Sequence, residues 1–254
     1  MSEMPRFTVE NFTERDIAKT IDHSLLRPEL DDRFVEDGCR LAAEYDVASV
    51  CVRPSDVLRA LAILDGTDVA VGTVVGFPHG SHRTAIKVAE ARHALDDGAS
   101  ELDMVIQIGA LKSRRDADVQ ADIAAVVDVA HGAGAIVKVI FENAYLTDDE
   151  KVRACHLSEA AGADFVKTST GFAPGGATHD DLRLMRANTS PRVGVKAAGG
   201  VRTLDALIDV MNLGVTRVGA TATKAIIDDF RARKAGRTPA GSVAGGGTED
   251  AGSY

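Results

Sequence analysis

The chain has 254 residues, 45% of them hydrophobic but only 4% aromatic, contains no tryptophan, and carries a formal net charge of −9. That length and apolar content suffice for one large α/β domain with an aliphatic core, while the negative charge disfavours nucleic acid and anionic membrane surfaces as partners. The three cysteines include no CxxC pair, no stretch approaches membrane-spanning length, and MSEMPRFTVENFTERD lacks a signal-peptide apolar run, so a soluble cytoplasmic protein with reduced thiols is expected.

Taken in chain order, a short amino-terminal helix leads into short, nearly continuous apolar runs at 19–23, 48–52, 69–76, 101–106, 136–141, 164–168, 193–197 and 216–219. Runs of this kind suit parallel strands covered by helices. The segments between them carry helix punctuation. Gly98, Gly132, Gly162 and Gly214 stand at helix stops, and Thr147 with Glu150 forms a T-x-x-E capping box. Thr178 and Thr203 are caps of the same type, placing a hydroxyl where the first helical N–H groups need an acceptor. Eight strands with helical connections predict a single-domain (β/α)8 TIM barrel over residues 1–231. Residues 232–254 turn rich in Gly and Ala and are read as a flexible tail that ends on an aromatic, Tyr254.

A barrel of this kind places its active site at the carboxyl ends of the strands. Asp103, Lys138, Glu142, Lys167 and Lys196 interrupt otherwise apolar runs there. Inward charges need partners, so these five are expected to satisfy one another as a network. Lys167 in ADFVKTS and Lys196 in RVGVKAA point to imine chemistry, because a lysine among apolar groups yields its neutral, nucleophilic amine more readily. On the residues alone, one lysine would attack a carbonyl and the other would lower its pKa. The competing view has Lys196 merely neutralising a phosphate or carboxylate. KAAGG (196–200) and GATAT (219–223) fall where such barrels bind phosphate. His79 and His82 have no third ligand at a metal-site spacing, and no metal is expected.

SVCVRP, TVVGFPHG, ELDMVIQIGALKS, DFVKTSTGF and VGVKAAGGVRT together closely resemble the deoxyribose-phosphate aldolase family, class I aldolases with a TIM-barrel fold. The resemblance runs from IDHSLL (21–26) to the last helix. It implies reversible cleavage of 2-deoxy-D-ribose 5-phosphate to D-glyceraldehyde 3-phosphate and acetaldehyde, without metal or organic cofactor. It implies Lys167 as the Schiff-base lysine, Lys196 as its pKa-lowering neighbour and proton donor or acceptor, and Asp103 as a further proton donor or acceptor. Asp22, Cys51 and Thr168 match positions at the site, and Gly199, Gly200, Gly219 and Thr221 match phosphate-binding positions. Tyr254 matches a terminal tyrosine that assists proton transfer in some members, and a homodimer is the implied assembly. Arg53 stands where members often have Asn, Asn143 where many have Thr, and Ala222 where a serine is usual. The alternatives are another Schiff-base barrel, transaldolase-like or acting on sugar bisphosphates, and a catalytically silent sugar-phosphate-binding protein.

Overall fold

A computed structural model of the chain describes residues 7–237. Eight parallel strands close into a barrel in sequence order: β1 (Ile21–Leu25), β2 (Ser49–Val52), β3 (Ala70–Val75), β4 (Glu101–Val105), β5 (Ile136–Ile140), β6 (Phe165–Lys167), β7 (Gly194–Ala198) and β8 (Arg217–Ala220). Around them run α1 (Glu14–Ala18), α2 (Asp32–Glu44), α3 (Val57–Leu64), α4 (Thr84–Asp96), α5 (Ile108–Lys112), α6 (Asp116–Gly132), α7 (Asp148–Ala160), α8 (His179–Ala187), α9 (Leu204–Met211) and α10 (Thr223–Lys234). The (β/α)8 expectation holds. The first strand starts at Ile21 rather than 19, and α10 continues to Lys234, so the division expected at 231 falls inside a helix. The Gly/Ala-rich tail lies otherwise outside the described residues.

The helix signals act through the chemistry expected of them. Thr147 accepts from the Glu150 amide and Glu150 reaches back to the Thr147 amide, while Thr178 and Thr203 accept from Asp181 and Ala206. Gly98, Gly162 and Gly214 stop their helices at φ between 87° and 105°, a region costly for residues with a Cβ. Gly132 instead remains helical, and Gly134 makes that stop at φ 75°.

Strand alternation divides the barrel into two unlike layers. Ile21, Leu25, Val50, Val52, Leu102, Met104, Val137, Val139, Val166, Val195 and Val218 join the buried aliphatic core beneath the helices. The intervening positions, Asp22, Ser49, Cys51, Glu101, Asp103, Lys138, Lys167 and Lys196, are buried too, but share the barrel interior. The aliphatic core inferred from composition is therefore a shell, and the barrel axis is charged.

Candidate active site

Register brings the charged residues together. Asp103 on β4 lies opposite Lys138 on β5, and Lys167 on β6 lies directly beside Lys196 on β7. Two ammonium groups at neighbouring strand positions would repel, yet both donate to the same carboxylate oxygen. Asp103 Oδ2 accepts from Lys167 Nζ at 2.8 Å and from Lys196 Nζ at 2.7 Å, while Oδ1 accepts from Lys138 Nζ at 2.8 Å.

Following the ion pairs outward from Asp103 traces a closed ring. Lys138 passes from Asp103 to Glu101 Oε2 at 2.6 Å, and Glu101 Oε1 meets Arg217 Nη2. Arg217 Nε donates to Asp22 Oδ1 at 2.8 Å, and Asp22 Oδ2 returns to Lys196 Nζ at 2.6 Å in an ion-pair contact. Cations and carboxylates alternate, so each ring member touches opposite charge on both sides. Ser49 adds a hydroxyl to Asp22 at 2.7 Å. Lys167 stands outside this ring, held among the described carboxylates by Asp103 alone.

The electrostatics follow from that pairing. Burial works to raise the carboxyl groups of Asp103 and Asp22, but the surrounding cations outweigh it and hold both well below the usual range. Burial alone would lower Lys138, yet Asp103, Asp22 and Glu101 push it upward. Lys167 corrects the sequence-based expectation of a depressed amine. Burial works to lower it, but the attraction of Asp103 wins and raises it above the ordinary lysine value. In this resting arrangement Asp103 stands against both lysine side chains and favours the protonated form of Lys167.

Glu142 departs from the expected five-residue network. It sits beyond the end of β5 at φ 57°, outside strand alternation, and its carboxylate accepts from the Thr170 hydroxyl and, at 3.2 Å, from the Thr170 amide. It thereby fastens the loop after Lys167 rather than joining the lysines. Thr168 likewise spends its side chain on structure, donating to the Ala198 carbonyl and accepting from the Ala198 amide, both at 3.1 Å. That clasp fixes the β6 end, and with it Lys167, against β7. Cys51 is buried at the site with its thiol pushed up to about 11, first by burial and then by Asp103.

Gly199 and Gly200 follow β7 at φ 81° and 94°. A Cβ on Gly199 would lie 2.9 Å from the Gly176 Cα, so two backbones approach closely there. At Gly200 it would meet nothing within 4 Å, leaving the backbone open for a ligand. Gly219, expected in the phosphate loop, instead belongs to β8, where a Cβ would rest 3.6 Å from Lys196 Cε. Thr221 is exposed beyond β8 and, with Leu26 and Phe172, lines a cavity of about 550 Å³. Ala222 forms the amino-terminal boundary of α10 with no side-chain cap, leaving that first turn's N–H groups without side-chain acceptors. Arg53, one of the departures, donates to Asp56 at 2.6 Å and to the carbonyls of Arg27, Pro28 and Leu30, which anchors the loop after β1. His79 and His82 are exposed, and among the described residues no group of three or more His, Cys, Asp or Glu is placed to hold a metal ion. Tyr254 lies outside the described residues.

Arg217 was missed by the sequence reading. The signal available was phase: Arg217 and Gly219 share one face of TRVGA, and Arg217 sits beside Lys196 in register.

A (β/α)8 barrel with adjacent buried lysines on one carboxylate defines an enzyme equipped for amine-based carbonyl chemistry. Residues 17–238 match the family described as DeoC/LacD family aldolase, and the chain belongs to that family. It is 50% identical over 215 residues to the deoxyribose-phosphate aldolase of Lysinibacillus sphaericus, covering 85% of this chain and 96% of that protein. It is 48% identical over 221 residues to the enzyme of the same name from Rhodopirellula baltica, covering 87% and 92%. The tetrameric deoxyribose phosphate aldolase of Aeropyrum pernix superposes with a TM-score of 0.80 at 28% identity, over 87% of this chain and 93% of that one.

Proposed function

We propose that this chain is a class I aldolase that reversibly cleaves 2-deoxy-D-ribose 5-phosphate to D-glyceraldehyde 3-phosphate and acetaldehyde through an imine on Lys167. The observation that carries the reading is the shared Asp103 carboxylate. When Lys167 gives up its proton, Lys196 and Lys138 still donate to Asp103. The carboxylate is therefore not stranded in the barrel when the nucleophile forms.

The neutral Lys167 amine attacks C1 of the open-chain sugar, and Lys196 or Asp103 moves the protons that let the carbinolamine lose water. In the resulting iminium the C3 hydroxyl gives up its proton, and the C2–C3 bonding pair flows toward nitrogen. That step releases D-glyceraldehyde 3-phosphate, which carries C3 to C5, and leaves an enamine on Lys167. Protonation at C2 and hydrolysis release acetaldehyde and restore the amine. Asp22 holds Lys196 and Arg217 in place, and Cys51 packs with Leu26 and Val74 as an uncharged wall.

The phosphate has backbone donors to meet at Gly199 and Gly200 and at the open first turn of α10, beside the Thr221 hydroxyl. An anion there would supply the acceptor that Ala222 lacks. A cytoplasmic setting and a homodimer belong to the same reading. Among the described residues no helix is long and apolar enough to cross a membrane, and light scattering decides the assembly.

Acetaldehyde with borohydride should leave an ethyl group on the Lys167 peptide, and Lys167→Ala should abolish both adduct and turnover. Full activity without that adduct would refute the imine route, and release of a ketose-derived product in place of acetaldehyde would refute the substrate.

A further inference from the structure

We propose that Arg217 is a positioning residue that closes the interior ion ring and thereby makes Lys167 the surplus cation, setting the pH at which its amine becomes nucleophilic. The proposal rests on the imine reading of Lys167. It concerns a residue on the opposite side of the ring from the nucleophile's contact.

The barrel interior contains Asp22 from β1, Glu101 and Asp103 from β4, Lys138 from β5, Lys167 from β6, Lys196 from β7 and Arg217 from β8. From β2 Ser49 and Cys51 face this set, and from β3 Ala70, Gly72 and Val74, none of them charged at neutral pH. Among the described residues the set is thus three carboxylates against four cations. A guanidinium does not surrender its proton in a protein, so any excess must come from a lysine.

Contacts decide which lysine. Lys138 lies 2.6 Å from Glu101 and 2.8 Å from Asp103, and Lys196 lies 2.6 Å from Asp22 and 2.7 Å from Asp103. Arg217 takes Asp22 at 2.8 Å together with Glu101. These three cations and three carboxylates neutralise one another around the ring. Lys167 has Asp103 alone, at 2.8 Å, and that oxygen is already shared with Lys196. The interior is therefore electrically balanced when Lys167 is a free amine. Without Arg217 the ring would carry one uncompensated carboxylate, and the balanced state would require Lys167 as an ammonium. The guanidinium also reaches the Phe165 ring, 6.0 Å from its centroid, which fixes it beneath β6.

The test follows borohydride trapping of acetaldehyde on Lys167 against pH, alongside kcat/KM, in the full-length chain. Arg217→Met should move the rising, acid-side limb of both profiles upward by about one pH unit, roughly tenfold less trapping at neutral pH. Arg217→Lys, which restores the charge without the two-pronged geometry, should bring the limb back toward its parent position. Glu101→Gln should act in the opposite sense, removing a carboxylate and moving the limb to lower pH. A folded Arg217→Met protein with the parent's pH dependence overturns the proposal. Should Arg217→Met not fold, Glu101→Gln decides alone: a downward shift supports it, and an unmoved or raised limb overturns it. A parent chain with no adduct on Lys167 at any pH instead overturns the imine reading, and this inference falls with it.

Discussion

Acid should destabilise this barrel through His23. The residue lies on β1 next to Asp22 but faces outward, 5% exposed, with Nδ1 2.9 Å from the Thr223 hydroxyl at the start of α10. Burial lowers its pKa from 6.5 to about 4, so the folded protein keeps the ring neutral while the unfolded chain protonates it. The unfolded state thus binds more protons between those two values, and stability is lost as pH falls through them. The gap of about 2.5 units corresponds to about 3 kcal/mol at 1.36 kcal/mol per unit. For a domain of this size that is roughly 6–12 °C of melting temperature. Thermal unfolding of the parent and His23→Asn should be followed from pH 7.5 to 4. Asn keeps a polar group near the Nδ1 position but cannot titrate. The substitution has its own constant cost, so the readout is the difference in slope, with the parent falling more steeply below pH 6.5. Parallel curves would show that His23 is protonated in the fold and would refute the reasoning.

Lys138→Met should cost about 3–5 kcal/mol in urea unfolding, because it strips a cation from between the buried carboxylates of Glu101 and Asp103; a loss below 1 kcal/mol would count against the ring. Gly200→Ala should lower stability by about 1 kcal/mol through its positive φ, while weakening KM for the 5-phosphate substrate and sparing cleavage of unphosphorylated 2-deoxyribose. Gly199→Ala should destabilise more strongly, because its Cβ meets the Gly176 backbone at 2.9 Å, and comparing the two melts checks this. Cys39, Cys51 and Cys155 are buried, with thiols pushed up to about 11, 11 and 12, chiefly by burial. A disulfide reagent at pH 8 should therefore titrate none quickly in the native protein and all three after denaturation.

The shell of the fold was easy to read and its axis was not. Runs such as AIVKVIF and the caps at Thr147, Thr178 and Thr203 are local, and local chemistry fixes them. The first strand was misplaced by two residues because Asp22, His23 and Ser24 make it polar, although all three are buried. Glu142 was assigned to the wrong partners because a left-handed φ of 57° ends the alternation that placed it beside Lys138. No pattern of residue types announces that conformation at a glutamate. Ring closure is less local still. The bonds from Arg217 to Asp22 and Glu101 span 195 and 116 residues, so the last strand completes a circuit begun by the first.

That circuit explains how the chain tolerates so many charges in a barrel that could have been filled with valine. An ion buried without a partner costs several kcal/mol, and an apolar replacement of a buried pair is often no worse for stability. Stability therefore gives no reason for the ring, but nucleophile chemistry does. A lone lysine in a dry barrel would lose its proton through burial, and would also leave no group to return protons to the carbinolamine. A lysine firmly paired with its own carboxylate would stay protonated. Attaching Lys167 to an oxygen that Lys196 already occupies avoids both extremes: the proton is held at rest, yet its departure leaves Asp103 with the Lys196 and Lys138 contacts. The resting preference for the ammonium and the role of the amine as nucleophile are thus compatible, provided the ring stays closed.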